Sequence, residues 1–187
     1  HSLGATHISS YMLKIEQGTP FAVNTPADIP DDDKMSDFYL YACQKIESLG
    51  YKQYEISNFA KEGYESRHNN IYWELENYIG IGPSAHSCLN GKRFYYPRDL
   101  HSFIANPKII EDGEVDADEY IMLSLRLKKG LNLVYLKEKW GRELSQLQLK
   151  KLKMLENQGY LTFENDIISL TPKGFLIENA ISCEIMM

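Results

Sequence analysis

The chain has 187 residues, of which 43% are hydrophobic, and these are enough to form one good core or two small ones. Its formal net charge of -6 and its pI near 5.4 argue against a general binder of the nucleic-acid backbone, which needs a basic face. No apolar run approaches the length of a membrane span and the first residues lack a signal-peptide pattern, so we expect a soluble, cytoplasmic protein.

The first 60 residues alternate strand and helix patterns. Residues 6–15 are rich in β-forming side chains and run into Gly18-Thr19-Pro20, which predicts a strand followed by a loop. Asp31 offers a helix N-cap, and the helix is predicted to end at Gly50. Its apolar stripe consists of Met35, Phe38, Ala42, Ile46 and Leu49. Residues 51–59 then predict a second strand.

A strand-helix-strand unit favours parallel strands joined by a right-handed crossover, as in α/β layers and barrels. Two strands and one helix can neither close a barrel nor cover both faces of a parallel sheet. We therefore expect residues 1–112 to be the tail of a larger α/β barrel domain, whose other half lies upstream. The first 60 residues should then carry an exposed apolar face.

A candidate haem site follows at His68. A neutral imidazole is a common axial ligand of haem iron, and Tyr72 and Trp73 supply large flat rings that can lie against a porphyrin. An isolated His68-Asn69 pair ahead of two aromatic residues is also typical of a hydrogen-bonded loop end that buried rings hold in place.

The segment from Gly80 to Ala85 matches the dinucleotide-binding pattern GxGxxA. That pattern needs a helix to begin within the glycines, whereas Asn90-Gly91 between two β-rich segments predicts a tight hairpin turn. We expect these glycines to let the backbone pass close to another strand or to a small molecule. Ser84 also lacks the GxSxG frame of a hydrolase nucleophile.

A second unit is predicted over residues 113–187, after an acidic linker at 111–114. Asp116 and Glu119 form a capping-box pattern, Asn132 is a cap for a short second helix, and a third helix ends near Gly159. A hairpin over residues 161–170 and a last helix that begins at Thr171-Pro172 follow. This order predicts a winged-helix-like domain.

Winged helices often bind DNA through their third helix, where Lys150, Lys151 and Lys153 could contact phosphates. The same three lysines, with Arg142, are also what a solvated helix face needs, and the fold is widely used for packing alone. We expect no nucleic-acid partner.

The chain resembles the oxygen-independent coproporphyrinogen III oxidase-like radical S-adenosylmethionine proteins over essentially its whole length. The segments that carry this resemblance are HISSY (7–11), IEQGTPF (15–21), YEISNFA (54–60), SRHN followed by YW (66–73) and GIGPSAHS (80–87). The resemblance implies a partial (β/α) barrel followed by a C-terminal domain. It also implies binding of S-adenosylmethionine and a [4Fe-4S] cluster in the intact protein.

Two branches of this family differ at the His68 segment. The haem-chaperone branch carries HNxxYW, associated with haem binding, and His68, Asn69, Tyr72 and Trp73 match it in full. The coproporphyrinogen dehydrogenases have a Gly-Tyr-Thr ending where this chain has Tyr-Trp. The resemblance therefore implies a haem site with His68 as the axial iron ligand.

Two further residues are implied to contact S-adenosylmethionine, Lys14 on the first predicted strand and His86 after the glycine loop. Both differ in type from the dehydrogenase residues at those places, so contact would be through backbone or one side-chain face. The alternative for His86 is a buried imidazole hydrogen-bonded under the hairpin.

The CxxxCxxC motif that binds the family's cluster is not in this sequence. Cys43, Cys88 and Cys183 lie far apart, so we expect buried, reduced thiols and cluster ligands outside this chain. We interpret the chain as a C-terminal fragment without radical chemistry of its own.

The first hypothesis is a haem chaperone that passes haem to acceptor proteins. The alternatives are a coproporphyrinogen III dehydrogenase, which decarboxylates two propionates to vinyl groups, and a winged-helix nucleic-acid binder.

Overall fold

The computed structural model describes residues 1–187 and has a mixed α/β architecture with three small sheets. The strands are β1 (His7–Ser9), β2 (Lys52–Glu55), β3 (Asn58–Ala60), β4 (His86–Leu89), β5 (Lys92–Tyr95), β6 (Ile110–Glu114), β7 (Leu131–Asn132), β8 (Leu161–Glu164) and β9 (Ile167–Leu170). The helices are α1 (Pro20–Val23), α2 (Asp32–Ser48), α3 (Arg67–Trp73), α4 (Leu100–Ala105), α5 (Ala117–Leu125), α6 (Leu133–Trp140), α7 (Gln146–Asn157), α8 (Pro172–Phe175) and α9 (Glu178–Met186).

The first sheet has the order β1-β3-β2, and β3 is antiparallel to both neighbours. β1 and β2 therefore run in the same direction, as predicted, but they are not adjacent because β3 lies between them. The single strand predicted over residues 51–59 is wrong. The chain turns at Ile56-Ser57, where the Glu55 carboxylate accepts a hydrogen bond from Ser57 N at 3.0 Å.

The first predicted strand is also shorter than expected. Pairing with β3 ends near Ser10, whose N–H donates to Ser57 O at 2.8 Å, and the residues beyond have no strand beside them. Tyr11 and Leu13 are 71% and 55% exposed, so part of the predicted apolar exposure lies here.

The cap and the end of helix α2 confirm the prediction, but the predicted apolar stripe is wrong at Phe38, which is 60% exposed. Asp31 caps it by accepting from Lys34 N at 3.0 Å, and Gly50 follows it with a φ of +85°. Its buried residues are Tyr39 and Cys43, and the Tyr39 hydroxyl donates to Ile56 O at 2.8 Å. The helix therefore packs on the turn that joins β2 to β3.

The second sheet has the order β4-β5-β6 and contains the predicted hairpin. Asn90 and Gly91 form its turn with φ values of +51° and +77°. A Cβ atom on Gly80 would lie 2.2 Å from His86 O, which confirms the predicted close backbone passage. The prediction of an acidic linker at residues 111–114 is wrong, because residues 110–114 form strand β6 and pair with β5. The proposed division at residue 112 thus falls within a strand.

The C-terminal elements follow the predicted order of three helices and a hairpin, but the short strand β7 before α6 was not predicted and the single predicted last helix is two, α8 and α9. The third sheet has the order β7-β9-β8. Asn132 caps α6 by accepting from Tyr135 N at 2.9 Å, and Gly141 ends it with a φ of +64°. Asp116 caps α5 by accepting from Glu119 N at 2.8 Å. The Glu119 carboxylate does not complete a capping box and instead lies 2.5 Å from the Arg93 guanidinium.

One hydrophobic core joins the two halves of the chain. Four of its fifteen buried residues come from the first half, and the other eleven lie at or beyond Ile121. The main chain is also continuous across the boundary, since Ile56 N donates to Arg126 O at 2.9 Å and Lys128 N donates to Tyr54 O at 3.0 Å. Residues 126–128 thus extend the first sheet beyond β2.

Two further expectations concern cysteines and membranes. Cys43 and Cys88 are buried as predicted, but Cys183 is exposed because it lies on the outer side of α9. No helix is both long enough and apolar enough to cross a bilayer.

Candidate functional site

The His68 motif lies on helix α3, which the sequence analysis did not predict. Ser66 caps the helix by accepting from Asn69 N at 3.3 Å, and the Tyr54 hydroxyl accepts from Ser66 N at 3.3 Å. The same hydroxyl lies 2.8 Å from His7 Nε2 on β1. The first sheet therefore fixes the start of α3.

The helix separates the four motif residues into two pairs, because residues four positions apart lie on the same face. His68 and Tyr72 form the outer pair, and both are exposed. Asn69 and Trp73 form the inner pair, and both line a cavity. The structure thus places the four predicted haem residues on one helix, where Tyr72 also lines the cavity of the inner pair.

In the outer pair, His68 Nε2 and the Tyr72 hydroxyl oxygen are 2.9 Å apart. The ring centroids are 5.0 Å apart with an interplanar angle of 87°. The other side of the Tyr72 ring packs edge-on against Tyr78 at 4.6 Å, yet 37% of Tyr72 stays exposed. A large planar ligand can therefore reach both groups of the outer pair from solvent.

The inner pair lines a cavity of about 450 Å³, which we call the inner cavity. Its other lining residues include Tyr11, Glu55, Asn58, Tyr72 and Arg126. The Arg126 guanidinium lies 5.1 Å from the Trp73 ring centroid, a cation–π distance, and 3.5 Å from the Glu178 carboxylate. The cation–π contact therefore joins α3 to Arg126, and the ion pair joins Arg126 to α9, where Glu178 is 97% buried.

Several buried polar groups around the inner cavity have no hydrogen-bond partner, namely Trp73 Nε1, Arg126 Nε and Asn58 Oδ1. Glu55 is 99% buried, and this burial raises the pKa of its carboxyl group despite the hydrogen bond from Ser57 N. The inner cavity is thus a polar pocket inside a mostly apolar interface.

Lys14 and His86, the two residues implied to contact S-adenosylmethionine, are not brought together. Lys14 pairs with Glu16 at 2.8 Å and lines a separate cavity of about 570 Å³, of which His86 is not part. His86 stacks on Tyr95 at 4.7 Å, and its Nδ1 lies 3.2 Å from the Asp112 carboxylate. The alternative of a buried imidazole is wrong, because this end of β4 faces solvent.

The basic residues of the third C-terminal helix are mostly paired with acids. Lys151 pairs with Glu184, Lys153 with Glu156, and Arg142 before the helix pairs with Asp118. These contacts reduce the charge available to phosphates. No group of three His, Cys, Asp or Glu side chains is placed to hold a metal ion.

Comparison with known proteins identifies the class of the C-terminal part. Residues 112–177 match the family "HemN C-terminal domain", and this segment begins within β6. The whole chain also superposes on coproporphyrinogen III oxidase (HemN) from Escherichia coli, a protein described as a radical SAM enzyme. The TM-score is 0.66 at 17% identity, and the match covers 98% of this chain and 48% of that one. At this identity the likeness shows the fold.

Sequence relatives are more specific. The chain is 33% identical to the heme chaperone HemW of Bacillus subtilis over 96% of its length, and 31% identical to that of Lactococcus lactis over 92%. It spans 51% and 48% of these two proteins, about half of each. The predicted resemblance is confirmed: the chain carries a HemN C-terminal domain and is related to the HemW proteins along nearly all of its length.

Proposed function

We propose that this protein binds haem on the outer face of α3 and, as part of an intact haem chaperone, delivers it to acceptor proteins. The observation that carries the proposal is the complete HNxxYW motif on an exposed helix, with His68 and Tyr72 both open to solvent. The relatives named heme chaperone support the same function. The sequence analysis assigned the iron to His68, and the structure adds Tyr72 as a second candidate ligand.

The proposal includes cofactors that residues outside this chain would hold. We propose that residues 1–112 complete a radical-SAM barrel, that residues 113–187 form the winged-helix-like domain behind it, and that S-adenosylmethionine and a [4Fe-4S] cluster bind in the intact molecule. The ligands of this cluster are proposed to lie outside this chain, whose cysteines are the buried Cys43 and Cys88 and the exposed Cys183. Lys14 and His86 stay proposed contacts of the S-adenosylmethionine.

The enzymatic alternative has less support. Likeness to coproporphyrinogen III oxidase at 17% identity supports the fold alone, whereas the relatives at 31–33% identity are named chaperones. Turnover measured on protein with restored cluster and cofactor tests it, because a vinyl product would favour the enzyme.

The test of haem binding is a titration of purified protein with haem, followed by the Soret band. We expect saturable binding that is weakened in the double variant His68→Ala/Tyr72→Ala, which removes both groups of the outer pair. Leu100→Ala, an exposed apolar residue on α4, is the control and should bind as wild type does. Equal affinity of the double variant and wild type would contradict the proposed site.

A further inference from the structure

His86 carries an imidazole that is held on one side and open on the other. Its Nδ1 lies 3.2 Å from the Asp112 carboxylate, and its ring stacks on Tyr95 with a centroid distance of 4.7 Å and an interplanar angle of 21°. The His86 side chain is 53% exposed. We propose that His86 Nε2 is an axial ligand to haem iron at a second position, on the face of the second sheet. This inference rests on the proposed haem function and gives His86 a ligand other than S-adenosylmethionine.

The Asp112 contact determines which nitrogen of His86 can bind a metal. A neutral imidazole has one N–H and one lone pair, and Nδ1 can lie this close to a carboxylate as a hydrogen-bond donor. The lone pair is then on Nε2, the nitrogen farther from the main chain. Histidines that bind metals commonly donate their other N–H to a carboxylate, which fixes the ring and makes the ligating nitrogen more basic. His86 already has this arrangement.

The other histidines of the chain do not combine these features. His7 Nε2 and His68 Nε2 lie 2.8 Å and 2.9 Å from tyrosine hydroxyl oxygens, so the outer nitrogen of each ring already has a partner. Among the five histidines, His86 alone pairs with a carboxylate. His86 is therefore the histidine whose ring is both oriented and open at Nε2.

The second sheet presents a suitable surface around His86. His86 is opposite Tyr95 and Tyr95 is opposite Ile110, so the three side chains form one row on one face of the sheet. The row crosses three strands and is roughly 10 Å wide. Ile110 is 39% exposed, and Ile81, in the loop that passes close to His86, is 93% exposed. These aromatic and apolar groups offer a planar tetrapyrrole hydrophobic contact beside the nitrogen that binds its iron.

A single histidine is sufficient because haem supplies most of the coordination sphere. The porphyrin nitrogens surround the iron in one plane and leave axial positions for the protein. In the binding step, the Nε2 lone pair forms a bond to iron and a solvent molecule on that face leaves. The Nδ1 proton stays in its hydrogen bond to Asp112, and the iron keeps its oxidation state, so the step needs no oxidant or reductant.

The experiment uses the double variant His68→Ala/Tyr72→Ala as its background, because this variant lacks both groups of the outer pair. Ferrous haem complexes are compared by resonance Raman spectroscopy, which detects the iron–imidazole vibration. We expect this vibration in the double variant and its loss when His86→Ala is added. His101→Ala is the matched control, since His101 is an exposed histidine on α4, and it should leave the vibration unchanged.

Asp112 is the positioning residue, and a second comparison tests its role. Asp112→Asn keeps the shape of the side chain and removes its charge, so in the same background it should lower haem affinity about tenfold or more and shift the iron–imidazole vibration to lower frequency. Glu111→Gln is the control, because Glu111 is opposite Phe94 on the other face of the sheet, and it should change neither readout. Circular dichroism should show the same fold in all variants.

An iron–imidazole vibration that survives His86→Ala in this background would overturn the inference and leave the outer pair as the haem site. Complete loss of haem binding in the double variant would have the same meaning. Haem binding that the double variant keeps in full and that His86→Ala alone abolishes would support the inference and overturn the outer pair. No haem binding by wild type would overturn both.

Discussion

The two parts of the chain, before and after residue 113, differ in how many of their apolar side chains are buried. Eleven of the fifteen main core residues lie in the C-terminal part, whereas sixteen of the twenty-two exposed large apolar side chains lie before residue 113. The C-terminal part therefore supplies most of the burial that stabilises the chain. The first part presents apolar surface and carries His68 and Tyr72, the two exposed residues of the proposed haem site.

Helix α2 shows the difference on a single element. Tyr39 and Cys43 are buried, and the Tyr39 hydroxyl contacts the turn between β2 and β3, while Phe38 and Tyr41 are 60% and 65% exposed. An amphipathic surface helix would place polar residues there. Large exposed apolar patches mark interaction sites, so the first part is suited to contacts that this chain does not make with itself.

The sharpest test of this contrast is to shorten one leucine in each part. Leu136 on α6 is fully buried, and Leu136→Ala should lower the free energy of unfolding by about 2–5 kcal/mol through lost transfer energy and a new cavity. Leu13 is 55% exposed, and Leu13→Ala should change the free energy of unfolding by less than about 0.5 kcal/mol. Urea unfolding measures both, and similar losses in the two variants would remove the contrast.

A smaller effect is expected at the junction of the two parts. Arg126→Leu should lower the free energy of unfolding by about 2 kcal/mol, because it leaves the buried Glu178 carboxylate without its cation. This value is below the cost of about 3–5 kcal/mol for breaking a fully buried pair, since 31% of the Arg126 side chain is exposed and solvent screens part of the interaction.

The companion variant is Arg126→Leu/Glu178→Gln, which removes the orphaned charge as well. It should recover part of the loss, and Ser182 can still hydrogen-bond residue 178. A double variant that is less stable than Arg126→Leu by the full cost of Glu178→Gln would show that the two side chains act independently.

The smallest expected effect is a pH dependence at Glu55, on the first-sheet side of the junction. Burial raises its pKa above the ordinary value of 4.5, so the folded state binds the proton more tightly than the unfolded state. The stability that this group contributes is complete below pH 4.5 and is lost as the pH rises through the raised pKa.

Glu55→Gln should therefore remove a decline in unfolding free energy with rising pH over this window. Glu62→Gln is the control, since Glu62 is 88% exposed, and it should keep the wild-type profile. Parallel pH profiles for wild type and Glu55→Gln would contradict the predicted role of burial.

Elements with their own local signals were predicted well. Asp31, Asn132 and Thr171 each cap the helix that was assigned to them, and Asn90-Gly91 forms the expected turn. These features depend on neighbouring residues, so sequence alone defines them.

Elements that depend on distant partners were missed. The acidic residues 110–114 form β6 only because β5 lies beside them, with Lys92 3.6 Å from Glu114. Helix α3 has seven residues and depends on Tyr54 and Lys129 for its position. Short helices gain little from propensity alone. The outer pair could have been found, because His68 and Tyr72 are four residues apart, but only once the segment was known to be helical.

The extension of the first sheet by residues 126–128 closes one of its two edges. The Tyr54 carbonyl and the Ile56 N–H form their main-chain hydrogen bonds with residues 126–128, so no further strand can add beside β2. The opposite edge, β1, is open, and only its three residues are available to a partner strand. A further strand can therefore be added to this sheet at one edge only, beside His7, Ile8 and Ser9.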